Sequence, residues 1–117
     1  MKPSEFEEIV RQTLDDLPED FKPLLENVVV LIEEEPDLAD LDGVELQPDE
    51  ELLGLYHGVS LLDRSASHTG LPDRVLIYRG PILRTCDTIA EIRQQIRETV
   101  IHEVGHHIGL DDDEMAY

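Results

Sequence analysis

His102-Glu103-Val104-Gly105-His106 constrains this chain more than any other stretch. On an α-helix, residues four apart share a face, so the imidazoles of His102 and His106 can converge on one point. Such a pair supplies two ligands of a tetrahedral zinc ion. Zinc takes neutral imidazole nitrogen at about 2.0–2.1 Å and, in catalytic sites, keeps one position for water. Glu103 lies about 100° further round the helix, where its carboxylate can reach that water without being a ligand. It is the candidate general base. The fold must therefore supply a rigid helix here, packed on a second layer, together with a third ligand.

The residues before the motif predict that helix. Thr88-Ile89-Ala90-Glu91 is a capping box, and Ile89, Ile92, Ile96 and Val100 follow at helical spacing. The helix is expected to run to about Ile108, where Gly109 stops it. Gly109 and Asp112 then occupy the last places of the longer pattern H-E-x-x-H-x-x-G-x-x-H/D. In that pattern the glycine turns the chain out of the helix and the residue three further on supplies the third ligand. Asp112 is the candidate; Asp111 and Asp113 stay as rivals, since a one-residue shift in the turn exchanges them. A carboxylate ligand in place of a third imidazole lowers the positive charge of the site and weakens its acidification of bound water. His107, about 100° from His106, reads as a surface residue, and so do the spare candidates His57 and His68.

Glu98 through Met115, with Leu53-Gly54-Leu55-Tyr56 and the segment from Leu71-Pro72-Asp73-Arg74 to Tyr78-Arg79-Gly80-Pro81, resembles the small bacterial zincin-like metallopeptidases known as minimal zincins. The resemblance spans nearly the whole chain. It implies an α+β domain in which a small mixed β-sheet packs against an N-terminal helix and a long zinc-binding helix. It also implies Zn2+ on His102 and His106, Asp112 as third ligand, Glu103 as base, and a peptide or protein substrate. In zincins an extended peptide joins the edge strand beside the cleft; by resemblance that strand is Val75–Tyr78. Tyr56 or Tyr78 is the candidate hydrogen-bond donor to an oxyanion. Met115 is only faintly similar to the methionine turn of larger metzincins and reads as a packing residue.

Elsewhere the chain reads plainly. Ser4-Glu5-Phe6-Glu7 fits a capping box for a helix with apolar positions Phe6, Ile9, Val10, Leu14 and Leu17, ended by Pro18. Val28-Val29-Val30-Leu31-Ile32 is a β-branched run, expected to be buried on both faces at the centre of the sheet. From Glu33 to Glu51 the chain is acidic and turn-rich and reads as a surface loop whose spacing does not fit a calcium loop. Leu52 to Tyr56 reads as a short strand with Gly58-Val59-Ser60 as its turn, Ser65 to Gly70 as a loop, and Val75 to Tyr78 as a strand.

Composition excludes several classes. A formal charge of −19 opposes binding to nucleic acid or to anionic membrane surfaces. No run is long and apolar enough to span a membrane, and the start of the chain, with Glu5, Glu7 and Glu8, lacks the layout of a signal peptide, so a cytoplasmic location is expected. The single Cys86 excludes an intrachain disulfide. No Lys or Arg occurs from Val28 to His57, whereas Arg64, Arg74, Arg79, Arg84, Arg93 and Arg97 follow, so the two regions are expected to face each other or share the surface as opposed patches. The length fits one domain over residues 1–117. The leading expectation is a zinc-dependent hydrolase of peptide bonds; the alternative is a zinc-binding domain that serves protein interaction without catalysis. Peptide deformylases share the motif but usually take a Cys ligand, which only Cys86 is present to supply.

Overall fold

A computed structural model describes residues 1–26, 28–41, 46, 50–57 and 73–107. The expectations for Gly58–Ser60, Ser65–Gly70, His68, Gly109, Asp111, Asp112, Asp113 and Met115 lie outside the described residues. In chain order the elements are α1 (Pro3–Asp15), a 3-10 turn (Lys22–Leu25), β1 (Val28–Glu33), the one-turn α2 (Leu38–Leu41), β2 (Gly54–His57), β3 (Asp73–Tyr78), α3 (Arg79–Thr85) and α4 (Ile89–His107). The class is α+β, a mixed sheet with helices, as expected of a small zincin-like fold.

The sheet runs in the order β1-β3-β2, with β1 parallel and β2 antiparallel to β3. This reverses two expectations. Val75–Tyr78 belongs to the central strand and is paired on both sides, so it is not the edge that a peptide joins. Among the described residues the Val28–Ile32 run pairs on one side only, as an edge strand. Burial explains the exchange: Val75, Ile77 and Tyr78 are fully buried and Leu76 nearly so, which requires cover on both faces. β1 instead alternates half-buried with exposed residues, and Val29 and Leu31 stay 39 % and 38 % exposed. A continuous apolar run reports the residues' preference for strand, not the number of neighbours that strand acquires.

The registers Ile32↔Ile77 and Gly54↔Ile77 put Val30, Ile32, Val75, Ile77, Gly54 and Tyr56 on one face. Against this face pack α1, through Phe6, Ile9 and Val10, and α4, through Ile96, Val100 and Val104. Each such side chain fully withdrawn from water contributes about 1.5–3 kcal/mol.

Local chemistry sets the helix ends. The box expected at Thr88 forms in part: the Glu91 N–H donates to Thr88 Oγ1 at 3.1 Å, while the return contacts of Glu91 Oε1 go to the Thr88 hydroxyl at 3.2 Å and to the Asp87 N–H at 2.9 Å. At α1 the start shifts from the expected Ser4. Pro3 takes the first helical position, where its missing N–H costs nothing, and Glu5 accepts from the Lys2 N–H at 3.4 Å. Leu17 lies past the last turn of α1 yet is 3 % exposed, so it joins the core from the connection.

The acidic and arginine-rich regions do meet. Arg79 pairs with Glu34 at 2.9 Å, and Arg84 reaches both Glu35, at 2.7 Å, and Glu51, at 2.9 Å. Arg84 thereby ties the two ends of the Glu33–Glu51 segment to α3. The Gly80 N–H donates to the Glu34 carbonyl at 2.9 Å, and a Cβ at Gly80 would lie 2.8 Å from that same carbonyl oxygen. Glycine is what permits that approach.

Candidate active site

Helix α4 runs beside β2, whose side away from β3 carries no strand among the described residues, and the antiparallel ladder determines which backbone groups face it. The Tyr78 N–H donates to the Leu53 carbonyl at 3.0 Å, so Leu53/Tyr78 is a hydrogen-bonded pair. Such pairs alternate, which makes Gly54/Ile77 and Tyr56/Val75 the non-bonded ones. The N–H and C=O groups of Gly54 and Tyr56 therefore point away from β3. Into this edge comes Glu103, whose Oε1 accepts from the Tyr56 N–H at 3.1 Å.

One turn earlier on α4, Thr99 closes on Gly54. A Cβ at Gly54 would clash with Thr99 Cγ2 and lie 2.9 Å from the Leu76 carbonyl oxygen. The two contacts share a geometry. Four residues of helix rise about 6 Å and two residues of strand about 6.7 Å, so Gly54–Thr99 and Tyr56–Glu103 are successive rungs between elements running the same way.

Tyr56 is fixed at its other end as well. Its hydroxyl donates to Asp73 Oδ2 at 2.7 Å, and Asp73 is only 7 % exposed. Of the two tyrosines considered as oxyanion donors, Tyr78 is fully buried in the core and Tyr56 gives its proton to Asp73. Neither hydroxyl is presented to the cleft here. His57 follows Tyr56 on β2, so strand alternation turns it to the opposite face of the sheet from Glu103.

His102, Glu103 and His106 all lie in the last two turns of α4, with His102 exposed and Glu103 half-buried. The helical backbone at both histidine positions satisfies the i, i+4 register that a shared metal requires. Imidazole is a preferred donor for zinc, so the donor set contributed by α4 fits that ion, with the third donor to come from elsewhere. Among the described residues no group of three or more His, Cys, Asp or Glu converges as a complete metal site.

A cavity of about 360 Å³ adjoins these residues. Gln95, Glu98 and Thr99 of α4 form one wall, His102 and Glu103 close one end, and the chain from Glu50 to Gly54 with Leu46 forms the other wall. The motif does not point to Gln95, Glu98 and Thr99. Their signal in the sequence is spacing: 95, 98, 99 and 102 recur at i, i+3, i+4 and i+7 and share the face of His102. Asp73 and the Tyr56 N–H carry no such signal, because they meet their partners only through sheet pairing.

Residues 25–117 match the model of the zincin-like metallopeptidase family. The chain belongs to that family. Among solved structures, this zincin-like protein is similar to a conserved hypothetical protein from Thermo thermophilus, with 25% identity, a TM-score of 0.56, and coverage of 92% of this chain and 94% of that one. That description assigns no activity, so the similarity speaks to the fold. No curated protein matches this zincin-like chain. Among the described residues no helix is long and apolar enough to cross a membrane.

Proposed function

We propose that this zincin-like protein is a zinc-dependent peptidase in which Glu103 is the general base. The observation that carries the reading is the seating of Glu103: a carboxylate on the histidine-bearing turns of α4, oriented by the N–H of an edge strand. His102 and His106, with Asp112 of the acidic run as third donor, would hold the metal. Bound there, zinc would supply Lewis acidity toward the scissile carbonyl and a water of lowered pKa.

The chain's own residues do the rest. Glu103 takes a proton from the attacking water and delivers it to the amine nitrogen as the C–N bond breaks. The N–H of Tyr56 keeps the carboxylate from rotating away, which lowers the entropic cost of that transfer. The outward backbone groups of Gly54 offer the peptide main chain a strand to pair with, so β2 takes the role expected of Val75–Tyr78.

The test combines metal stoichiometry by elemental mass spectrometry with peptide cleavage. Wild type and Glu103→Gln should each retain one zinc per chain after exchange against metal-free buffer, and His102→Ala should lose it. Cleavage should fall by about 10²–10⁴-fold in Glu103→Gln. Turnover at the wild-type rate in that variant, with contaminating protease excluded, refutes the assignment. Zinc retention without cleavage of any peptide would leave a zinc-binding interaction domain.

A further inference from the structure

Tyr56 is held at both ends by carboxylates on different elements. Its N–H donates to Glu103 Oε1 on α4 at 3.1 Å, and its hydroxyl donates to Asp73 Oδ2 on β3 at 2.7 Å. The register explains how one residue reaches both. Tyr56 pairs with Val75, so Asp73, two residues earlier, is its diagonal neighbour on the helix-facing side of the sheet, within reach of a long side chain. Because Tyr56/Val75 is a non-bonded pair, β3 does not take up the Tyr56 N–H, and the ladder leaves that group to be aimed by other contacts. Among the described residues the ladder ends at the next pair, His57↔Arg74, and strands loosen first at their ends. A directional contact matters most there.

We propose that Asp73 is a positioning residue for the general base: it anchors the Tyr56 ring and thereby holds the Tyr56 N–H against the Glu103 carboxylate. The inference rests on the peptidase reading above and adds the residue that seats its base. Asp73 is 7 % exposed, a costly place for a carboxylate unless its oxygens accept hydrogen bonds. An apolar residue would seal the end of the sheet without that cost, but apolar contact has no direction. At 2.7 Å the Tyr56–Asp73 contact has the length of a hydroxyl bonded to an ionised carboxylate, a bond about twice as strong as a neutral one. A tyrosine has only two side-chain torsions, so anchoring its hydroxyl restrains the backbone from which its N–H projects. Asp73 acts through Tyr56, and the proton transfer stays with Glu103.

The test reads the Tyr56 contact both with and without catalysis. Hydrogen exchange at the residue-56 amide is followed by NMR in zinc-loaded wild type, Tyr56→Phe, Asp73→Leu and Asp73→Asn, with Glu103→Ala as the unbonded limit. Exchange should quicken roughly 10-fold or more in Tyr56→Phe and Asp73→Leu, toward that limit. The Leu55 amide, which belongs to the ladder with β3, should stay protected. Asp73→Asn keeps an acceptor for the hydroxyl and should restore most of the protection at residue 56. On a quenched fluorescent peptide selected from a mixed library, kcat should fall by about 10- to 100-fold in Tyr56→Phe and Asp73→Leu, with KM within about 2-fold of wild type. Ile9→Val, a core change in α1, should lower the urea midpoint and leave both kcat and the residue-56 amide as in wild type. If Asp73→Leu does not fold, Tyr56→Phe carries the test. Wild-type exchange at residue 56 in Tyr56→Phe, loss there no greater than at Leu55, or an unchanged kcat overturns the inference while the peptidase reading stands on its Glu103 dependence. No Glu103-dependent cleavage by wild type, with the Asp73-dependent protection intact, sinks the peptidase and leaves the tether standing.

Discussion

Gly54→Ala tests the junction on which the site depends. The new Cβ would lie 2.9 Å from the Leu76 carbonyl oxygen, against about 3.3–3.6 Å for an ordinary C–H···O contact, and would clash with Thr99 Cγ2. Because Leu76 is in the central strand and Thr99 is 7 % exposed on the packed face of α4, neither can retreat. Relief must come from β2 moving out by roughly 1 Å, at an overpacking cost of about 1–3 kcal/mol. Alanine returns about 0.4–1 kcal/mol by restricting the unfolded chain. The net loss should be about 0.5–2 kcal/mol, read as a lower urea midpoint with unchanged slope. The same movement stretches the 3.1 Å bond from Tyr56 to Glu103 beyond hydrogen-bond range, so cleavage should fall more than folding does. Thr99→Ser removes the obstructing methyl and keeps the hydroxyl that accepts from Gln95 at 3.3 Å. In a double-mutant cycle it should recover part of the loss, a coupling of about 0.5–1 kcal/mol. A neutral Gly54→Ala, or strictly additive substitutions, would refute the argument that α4 rests on this glycine.

Two further outcomes follow from contacts around the site. Tyr56→Phe takes a donor from the buried Asp73 carboxylate and should cost about 1–3 kcal/mol in urea unfolding, while Tyr78→Phe provides the comparison of a core hydroxyl. The Arg84 guanidinium holds the Glu35 carboxyl below its usual value of 4.5. A carboxyl depressed in the folded state contributes stability that is present above the unfolded value and lost as pH falls through the folded one. Melting temperature should therefore drop as pH falls below about 4.5, and Arg84→Met should flatten that part of the profile. Because the pair is exposed, raising the salt concentration should shrink the difference between wild type and variant.

Much of the site was legible in the sequence, because it is built from local periodicity. The Thr88–Glu91 box, the stripe Ile92, Ile96 and Val100, and the two histidines four apart all belong to one helix, whose geometry relates near neighbours in sequence. The opposed charge patterns of the Glu33–Glu51 segment and the following arginines likewise foretold the contacts of Arg79 and Arg84. Strand order was another matter. Val28–Ile32 and Val75–Tyr78 are both apolar runs, and nothing within either says which one has two neighbours. That depends on hydrogen bonds between residues tens of positions apart, and the loops between them set the pairing only through closure of the whole fold. The seating of Glu103 belongs to the same class. Its partner Tyr56 lies 47 residues away and offers a backbone N–H, a group every non-proline residue has, so no side-chain pattern could mark it. The sequence determined the helix and the chemistry it carries; the tertiary structure decided which strand edge that chemistry faces, because an edge exists only once the strands have paired.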